Sequence, residues 1–511
     1  MAEFSSLEQI RLEKIQKLKE LGIEPFPHRS QRTHTSQEAI KALEEFEKQD
    51  NSDKDVEPVI AVLTGRIRAT RAMGKLTFAH IEDGEGKIQI FLRINELGQE
   101  RIDFFNDMFD IGDFIQASGS MMRTRTGEPT LLVDDFKILS KAVSPLPAAK
   151  DEELEDGTII RHAALEDSEL RARQRYADLA VNPETRKVFQ TRTAIIKTLR
   201  NFLDEKGFLE VETPILQPIY GGAAAKPFTT YHNQLKQELF LRISFELYLK
   251  RLLVGNLEKV YEIGRDFRNE GISFKHNPEF TQLEFYWAYA DYLKVMELTE
   301  QMISSLAEKI KGTTQLVYQG TKLDFKAPWK RLSVRQGILD TTGVDIHEHD
   351  SAASMLEAMK KLDKSPDPNS TRGKLIDFMI SEYLEPTLIQ PTFLFDYPRD
   401  ISPLAKSKAD DPLTVERFEV YVAGFELCNA FTELNDPLDQ ESRFLEMNRD
   451  YGKDDEEKHP MDEDYLRAMR YGMPPNGGFG MGIDRLVMIF LDKHNIRDIL
   501  LFPQLRKEDS E

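Results

Sequence analysis

The stretch FRNEGISFKHNPEFTQLEFYWAY, residues 267–289, brings a guanidinium, carboxylates, an imidazole and aromatic rings close together in sequence. It reads as strand, polar turn, strand. Residues 267–270 form a short run before Gly271. Residues 279–289 alternate and are rich in aromatics, and Lys275, His276, Asn277 and Pro278 give the segment between a turn composition. Side chains alternate along a strand. Arg268 and Glu270 are therefore expected on one face, and Phe280, Glu284 and Tyr286 on one face of the second strand. A single antiparallel hairpin could present a cation, two carboxylates, a histidine, a phenyl ring and a phenol to one cavity. On these residues alone, a solvated, salt-bridged hairpin is an equal alternative.

Two further stretches carry chemistry. In residues 417–433, RFEVYVAGFELCNAFTE, a two-residue turn at Ala423-Gly424 would set Tyr421 opposite Glu426. Glu419 then lies diagonally on the same face, near enough for both carboxylates to share a divalent cation. Asn429, Phe431 and Glu433 fall on the other face by parity. Both sets can line one cavity only across a β-bulge near Cys428, and that irregularity is expected. Residues 477–485, GGFGMGIDR, run into an apolar helix at 486–491. Glycines ahead of a helix let backbone N–H groups approach phosphate. No Gly-Lys-Ser/Thr follows, and neither the glycine spacing nor the remaining length suits a dinucleotide fingerprint.

The elements that must position these groups fall into blocks. A chain of 511 residues exceeds one ordinary core, so two or more domains are expected. With 40% hydrophobic and 31% charged residues the composition is that of a soluble globular protein. No apolar run reaches bilayer length, the N-terminus lacks a signal-peptide core, and one cysteine, Cys428, excludes an internal disulfide. A reducing cytoplasm is the default expectation. A net charge of −20 argues against non-specific nucleic-acid binding but leaves room for docking on local basic patches.

Helical spacing predicts helices at 6–22 and 36–47, then a polar linker at 48–57. From Val59 the period changes to two. Five short strands in about 85 residues suggest a small β-barrel, with an oligonucleotide-binding barrel as one candidate. It carries Arg66, Arg68, Lys75, Phe78, His80 and Gln89, interleaved basic, aromatic and polar groups suited to stacked bases and phosphates. An ordinary barrel surface is the likelier reading of those residues taken alone. A second linker at 146–157 is followed by helices at 168–180 and 183–206, a strand at 208–212 and a flexible loop, YGGAAA, at 220–225. Ser244 is expected to cap a helix containing Glu246. Residues 291–390 read as mostly helical. His162, His232, His347 and His494 have no chemical context and are expected to be structural or exposed.

Three elements stand in fixed order: GFLEVETP (207–214), FRNE followed by HNPEF (267–280) and GFGMGIDR (478–485). Together they resemble the three motifs of the class II aminoacyl-tRNA synthetases. The barrel ahead of them resembles the lysine, aspartate and asparagine subgroup. RQRYADL, YGGAAAKPF, SFELYLKRL, YPRDISPLAK, FELCNAFTELND and LLFPQLR resemble its bacterial-type lysine branch, over nearly the whole chain.

The resemblance implies an α+β fold: a five-stranded OB-type barrel followed by a catalytic domain with an antiparallel sheet flanked by helices. The expected domains are a helical extension at 1–55, an anticodon-binding barrel at 56–145, a hinge at 146–180 and the catalytic domain at 181–511, with a mostly helical insertion around 306–390. The implied reaction joins ATP and L-lysine into lysyl-adenylate and passes the lysyl group to lysine tRNA. A homodimer built partly on the Pro214 motif, a cytoplasmic location and no membrane contact are also implied.

By the same resemblance Arg268, Glu270 and Arg485 are the catalytic residues. Arg268, Glu270, His276, Asn277, Phe280, Glu419, Gly482 and Arg485 bind ATP, and Glu419 and Glu426 hold Mg²⁺. Gly222, Glu246, Arg268, Glu284, Tyr286, Asn429, Phe431 and Glu433 bind lysine. Arg66, Phe78 and Gln89 read the anticodon. The physics agrees: a guanidinium fork suits joined carboxylate and phosphate, and an acidic pocket end suits an ammonium while repelling aspartate. Three rivals remain open at this point: a nucleotide-dependent dehydrogenase, an inactive nucleic-acid-binding paralogue, and a related enzyme that lysylates a protein.

Overall fold

The computed structural model describes residues 4–48, 57–147, 150–153, 159–162, 165–450 and 460–507. Most of the two expected linkers lies outside these residues. Lys150–Glu153, inside the second, pairs antiparallel with Ile159–His162 just beyond it, so a strand stands where a linker was expected. The chain divides into two compact units, Met1–Glu166 with Tyr176–Val181, and Asp167–Arg175 with Asn182–Glu511.

The first unit is a closed five-strand barrel. Its strands are Ile60–Ala72, Leu76–Glu82, Lys87–Arg93, Phe114–Arg123 and Pro129–Ser140. Alternation is strict enough to close it: Thr77, Ala79 and Ile81, and Ile88, Ile90 and Leu92, point inward and are buried. The helices Ser6–Glu20 and Ser36–Lys48 add Leu18, Ala39 and Leu43 to the same core. A capping box between Ser5 and Glu8 starts the first helix, and Gly22 at φ 73° follows its end.

The second unit is built on an eight-stranded sheet. Its spatial order is Lys330–Ser333, Thr392–Pro398, Thr414–Val422, Phe425–Thr432, Asn476–Gly482, Glu279–Ala288, Lys259–Phe267 and Leu209–Glu210. Neighbours are antiparallel except at the two edges, where the pairs are parallel. Helices Pro183–Glu205, Tyr292–Lys311 and Ile483–Phe490 contribute Leu199, Ile303 and Leu486 to its large apolar core.

Several sequence expectations are corrected here. The first strand of the opening hairpin ends at Phe267, so Arg268 and Glu270 lie in the loop and strand parity does not place them. The loop backbone is held instead by Arg268 N–H donating to the Pro278 carbonyl and Asn269 N–H to that of Lys226. The strand after Gly207 is only Leu209–Glu210. The glycine run 477–482 is not a loop before a helix but a strand in the middle of the sheet. Its N–H groups serve ladders on both sides, so they are not free for phosphate. The stretch 306–390 is mixed, with a hairpin of Gln315–Tyr318 and Thr321–Asp324 before helices Val334–Thr342, Ala352–Met359 and Arg372–Met379. Ser244 is one residue ahead of the helix cap, Phe245, although its hydroxyl still accepts the Glu246 N–H at 3.1 Å.

Candidate active site

One cavity of about 350 Å³ lies on the open face of the large sheet. Its walls include Gly222, Glu246, Arg268, Glu270, His276, Asn277, Phe280, Glu284, Tyr286, Glu426, Asn429, Phe431, Glu433, Gly482 and Arg485. Of the residues expected in the catalytic half, only Glu419 is not in the lining.

Two local features assemble this wall. Ala423 and Gly424 have φ of 52° and 74°, a turn matched to the twist of the strands it joins. Tyr421 pairs with Glu426, yet Val420 pairs with Cys428, so Leu427 is an extra residue. This is the bulge that parity required, and it turns Glu426 and the set Asn429, Phe431 and Glu433 into one cavity. Glycines form the floor. A Cβ on Gly478 would overlap Glu433 Oε1 and lie 2.6 Å from the Tyr286 ring, and one on Gly480 would lie 3.2 Å from Gln282 Nε2. The run therefore leaves room for side chains of neighbouring strands to lie across it.

One end is acidic, and its carboxyl groups are buried. Glu284 is 3% exposed, Glu246 6% and Glu433 0%. Glu284 accepts from Ser244 Oγ at 2.8 Å, Gln282 Nε2 at 2.9 Å and Tyr286 Oη at 3.2 Å. Burial, with Asp266 and Glu246 close by, pushes Glu284 well above the usual carboxylate range. Burial also pushes Glu433 up, against the pull of Lys250. Neither Glu433 oxygen has a properly angled hydrogen bond, although the Lys250 ammonium lies against Oε2. Such a buried, under-partnered carboxylate is costly unless a cation completes it. The sequence reading missed Lys250, Gln282 and Asp266. Gln282 shares the parity of Glu284 and so carried a usable signal, whereas Lys250 follows Glu246 by four residues on one helix, a spacing that ordinarily marks a surface pair. Asp266 lies on the strand facing Phe280 and carried none.

The other end is cationic. The Arg268 guanidinium lies 5.1 Å from the Phe280 ring centroid, with Nε buried and unpaired. Arg485 Nη1 donates to the Glu426 carbonyl at 2.7 Å and to its carboxylate at 3.1 Å, and Nη2 approaches His276 Nε2 at 3.2 Å. A guanidinium can only donate, so Nε2 is the acceptor and Nδ1 carries the proton toward Ser273 Oγ, 2.8 Å away. Partial desolvation, then the Arg485 and Lys275 cations, push His276 down to about 4. Asn277 has a buried Oδ1 without a donor. Glu270 is exposed at the rim.

The two carboxylates expected to hold Mg²⁺ differ. Glu426 has a side chain 42% exposed, and although burial would raise it, Arg485 holds it below the ordinary carboxylate value. Glu419 is buried, with Oε1 taken by Arg417 at 2.6 Å and Oε2 by the hydroxyls of Tyr397 and Tyr421, each at 2.7 Å. Of about four carboxylate lone pairs, one on Oε1 is left. Among the described residues no cluster of three or more acidic, histidine or cysteine groups could hold a metal by itself. A cation shared by two carboxylates and a phosphate fits that donor set.

In the barrel unit, Phe78 and Phe91 face each other across paired strands and stack at 4.4 Å with their planes 5° apart. Gln89 is buried against the same face, donating to Glu128 at 2.8 Å and accepting from Thr130 at 2.9 Å. Arg66 is turned elsewhere, donating to the Gly112 carbonyl and lying 4.2 Å above the Phe114 ring. Phe91, directly opposite Phe78, was not singled out from sequence.

Comparison with known proteins identifies the family. The family described as tRNA synthetases class II (D, K and N) matches residues 167–506, and the OB-fold nucleic acid binding domain matches residues 61–139. A lysine–tRNA ligase of Roseiflexus castenholzii is 49% identical over 508 residues, covering 99% of this chain and all of the relative. One from Pelotomaculum thermopropionicum is 50% identical over 99% of this chain and 96% of its own length. One from Chloroflexus aurantiacus is 48% identical with full coverage of both. The chain belongs to the class II tRNA synthetases of the D, K and N group.

Proposed function

We infer that the protein is a lysine–tRNA ligase, which activates L-lysine with ATP and passes the lysyl group to the 3′ end of tRNA. The observation that carries this reading is one cavity with three buried carboxyl groups toward one end and, toward the other, a guanidinium whose buried Nε has no partner. A molecule with two ammonium groups and a carboxylate matches that polarity along its length.

The nucleophile is the substrate's own carboxylate, attacking the α-phosphorus of ATP with loss of pyrophosphate. The protein's work is then positioning and charge stabilisation. In this reading Arg268 bridges the lysine carboxylate and the α-phosphate, and Phe280 offers its ring to adenine. Asn277 and Glu270 take polar edges of the nucleotide. Arg485 and neutral His276 meet the outer phosphates. Gly482 ends the glycine strand beside them. Glu246 and the Gly222 carbonyl receive the α-ammonium. Glu433, Glu284 and Tyr286 receive the ε-ammonium, with Asn429 and Phe431 along the stem. Mg²⁺ held by Glu426 and the last lone pair of Glu419 would neutralise phosphate charge. A second cavity of about 980 Å³ adjoins at Gly222, Glu246, Asn429 and Phe431. It offers the tRNA 3′ end room to approach. The stacked pair Phe78 and Phe91, with Gln89, would take anticodon bases, while Arg66 in its present place would do no more than brace the barrel.

The homodimer is part of the same reading. Leu209, Ile215, Leu216, Tyr231 and Leu235 lie within 27 residues of one another around the Pro214 motif, and each is at least 45% exposed. Exposed apolar side chains of that kind suit a subunit interface. No helix among the described residues is long and apolar enough to cross a membrane.

The test is amino-acid-dependent ATP–pyrophosphate exchange with all twenty amino acids, followed by charging of lysine tRNA. Lysine should give the only strong exchange. Absence of lysine-dependent exchange in the presence of Mg²⁺ would sink the reading.

A further inference from the structure

Behind the pocket wall lies a cation that the reaction as described does not use. Lys250 is 0% exposed and does not line the cavity. Its ammonium donates to Glu246 Oε1 at 2.5 Å and is ion-paired with Glu433 Oε2. It also lies 5.5 Å from the Phe431 ring centroid and 5.9 Å from that of Tyr286. One buried group therefore touches four residues assigned to lysine, two from the sheet, one from the strand's exit and one from its own helix.

Glu246, Glu284 and Glu433 are three buried carboxyl groups in the cavity wall, and Lys250 is the one cation paired with two of them. Glu262 and Asp266 lie behind Glu284 outside the cavity lining and share Arg242, at 2.6 and 3.3 Å. Resting on the lysine reading above, we propose that Lys250 is a specificity-setting positioning residue. It ties the Glu246 and Glu433 carboxylates to one ammonium and so fixes both in the positions from which they meet the substrate's ammonium groups. Without it, two buried carboxylates face each other unshielded. One takes a proton or turns away, and the pocket loses the carboxylate charge that distinguishes an ε-ammonium from a methyl group.

The experiment uses the full-length protein with Lys250→Met, which keeps length and removes charge, and Lys250→Arg, which keeps charge and spreads it. Exchange kinetics are run with L-lysine, with norleucine, which lacks the ε-ammonium, and with varied ATP. For Lys250→Met the KM for lysine should rise at least about tenfold. The KM for ATP should stay within about twofold, and the lysine-to-norleucine preference in kcat/KM should fall about tenfold or more. Lys250→Arg should raise the lysine KM less, again without moving that for ATP. A lysine KM that is unmoved or falls, or parallel rises for lysine and ATP, overturns the proposal. If Lys250→Met does not fold, Lys250→Arg decides by the same criteria. Lysine-dependent exchange by the unmodified protein is the separate control: its absence removes the lysine reading itself, while its presence with unaffected variants removes only the role of Lys250.

Discussion

Arg268 holds a buried Nε without a partner beside the Phe280 ring. Removing it should cost about 3–4 kcal/mol in adenylate formation, the scale of losing a donor to a developing anion. Arg268→Ala should therefore lower kcat/KM for lysine-dependent exchange by about 10²–10³-fold. Arg268→Lys should recover little, because one ammonium cannot bridge carboxylate and phosphate as a fork does. A loss under about tenfold would place the clamp elsewhere. His276 supplies a pH signature. It titrates at about 4 against an ordinary 6.5, so the unfolded chain takes its proton first as pH falls. Its contribution to stability is full above pH 6.5 and declines as pH drops toward 4. Phosphates placed beside it would raise its pKa, so ATP binding near pH ~5.5 should take up protons. Calorimetry in two buffers of different ionisation heat reads this directly, and His276→Gln should abolish it. At this scale the sequence was informative where a strand fixes direction. Parity put Phe280, Glu284 and Tyr286 on one face, and the sheet keeps them there. It was uninformative for Arg268, which lies just beyond the strand and is aimed by loop hydrogen bonds to Pro278 and Lys226. Lys250 escaped notice because a lysine four residues from a glutamate on a helix is ordinarily a surface pair, and only tertiary burial makes it otherwise.

The hairpin 414–432 and the glycine strand 476–482 were legible to different degrees. The two-residue turn, the Tyr421–Glu426 pairing and the bulge all follow from local rules, since the residues on either side of Cys428 could reach one cavity in no other way. The glycine strand was not legible, because glycine weakens an isolated strand and ordinarily marks loops. It forms here because neighbours on both sides pair with it, and because Tyr286 and Glu433 lie where its side chains would be. Gly478→Ala tests that account. Its Cβ would overlap Glu433 Oε1 and crowd the Tyr286 ring, so the pocket's acidic end must shift. The variant should fold, with stability lowered by about 1–3 kcal/mol as for an overpacked core. Its KM for lysine should rise well beyond its KM for ATP. Equal changes in both constants would mean the strand's openness matters for folding rather than for the pocket.

For the molecule as a whole, the switch from helical to two-residue periodicity near Val59 announced a barrel, and the structure has one. The hairpin 315–324 did not announce itself, because its short strands lie between helical patterns that outweigh them. The division into two units carries the last prediction. In the proposed reading, activation uses only groups in the unit that holds residues 182–511, whereas charging also depends on how tRNA is held. Phe78 and Phe91 are stacked, half-buried and mutually supporting, so each should offer a ring that a splayed base can extend. Losing one stacking ring typically costs about 1–3 kcal/mol per base. Phe78→Ala and Phe91→Ala should each lower kcat/KM for charging by about 5–150-fold. The double variant should lose less than the product of the two, since residues in contact are not additive. ATP–pyrophosphate exchange should be unchanged in all three, because none of its groups has been touched. Equal loss in exchange and charging would show that the rings act on the fold rather than on tRNA. A charging defect that persists with a tRNA lacking its anticodon arm would place their partner elsewhere on the nucleic acid.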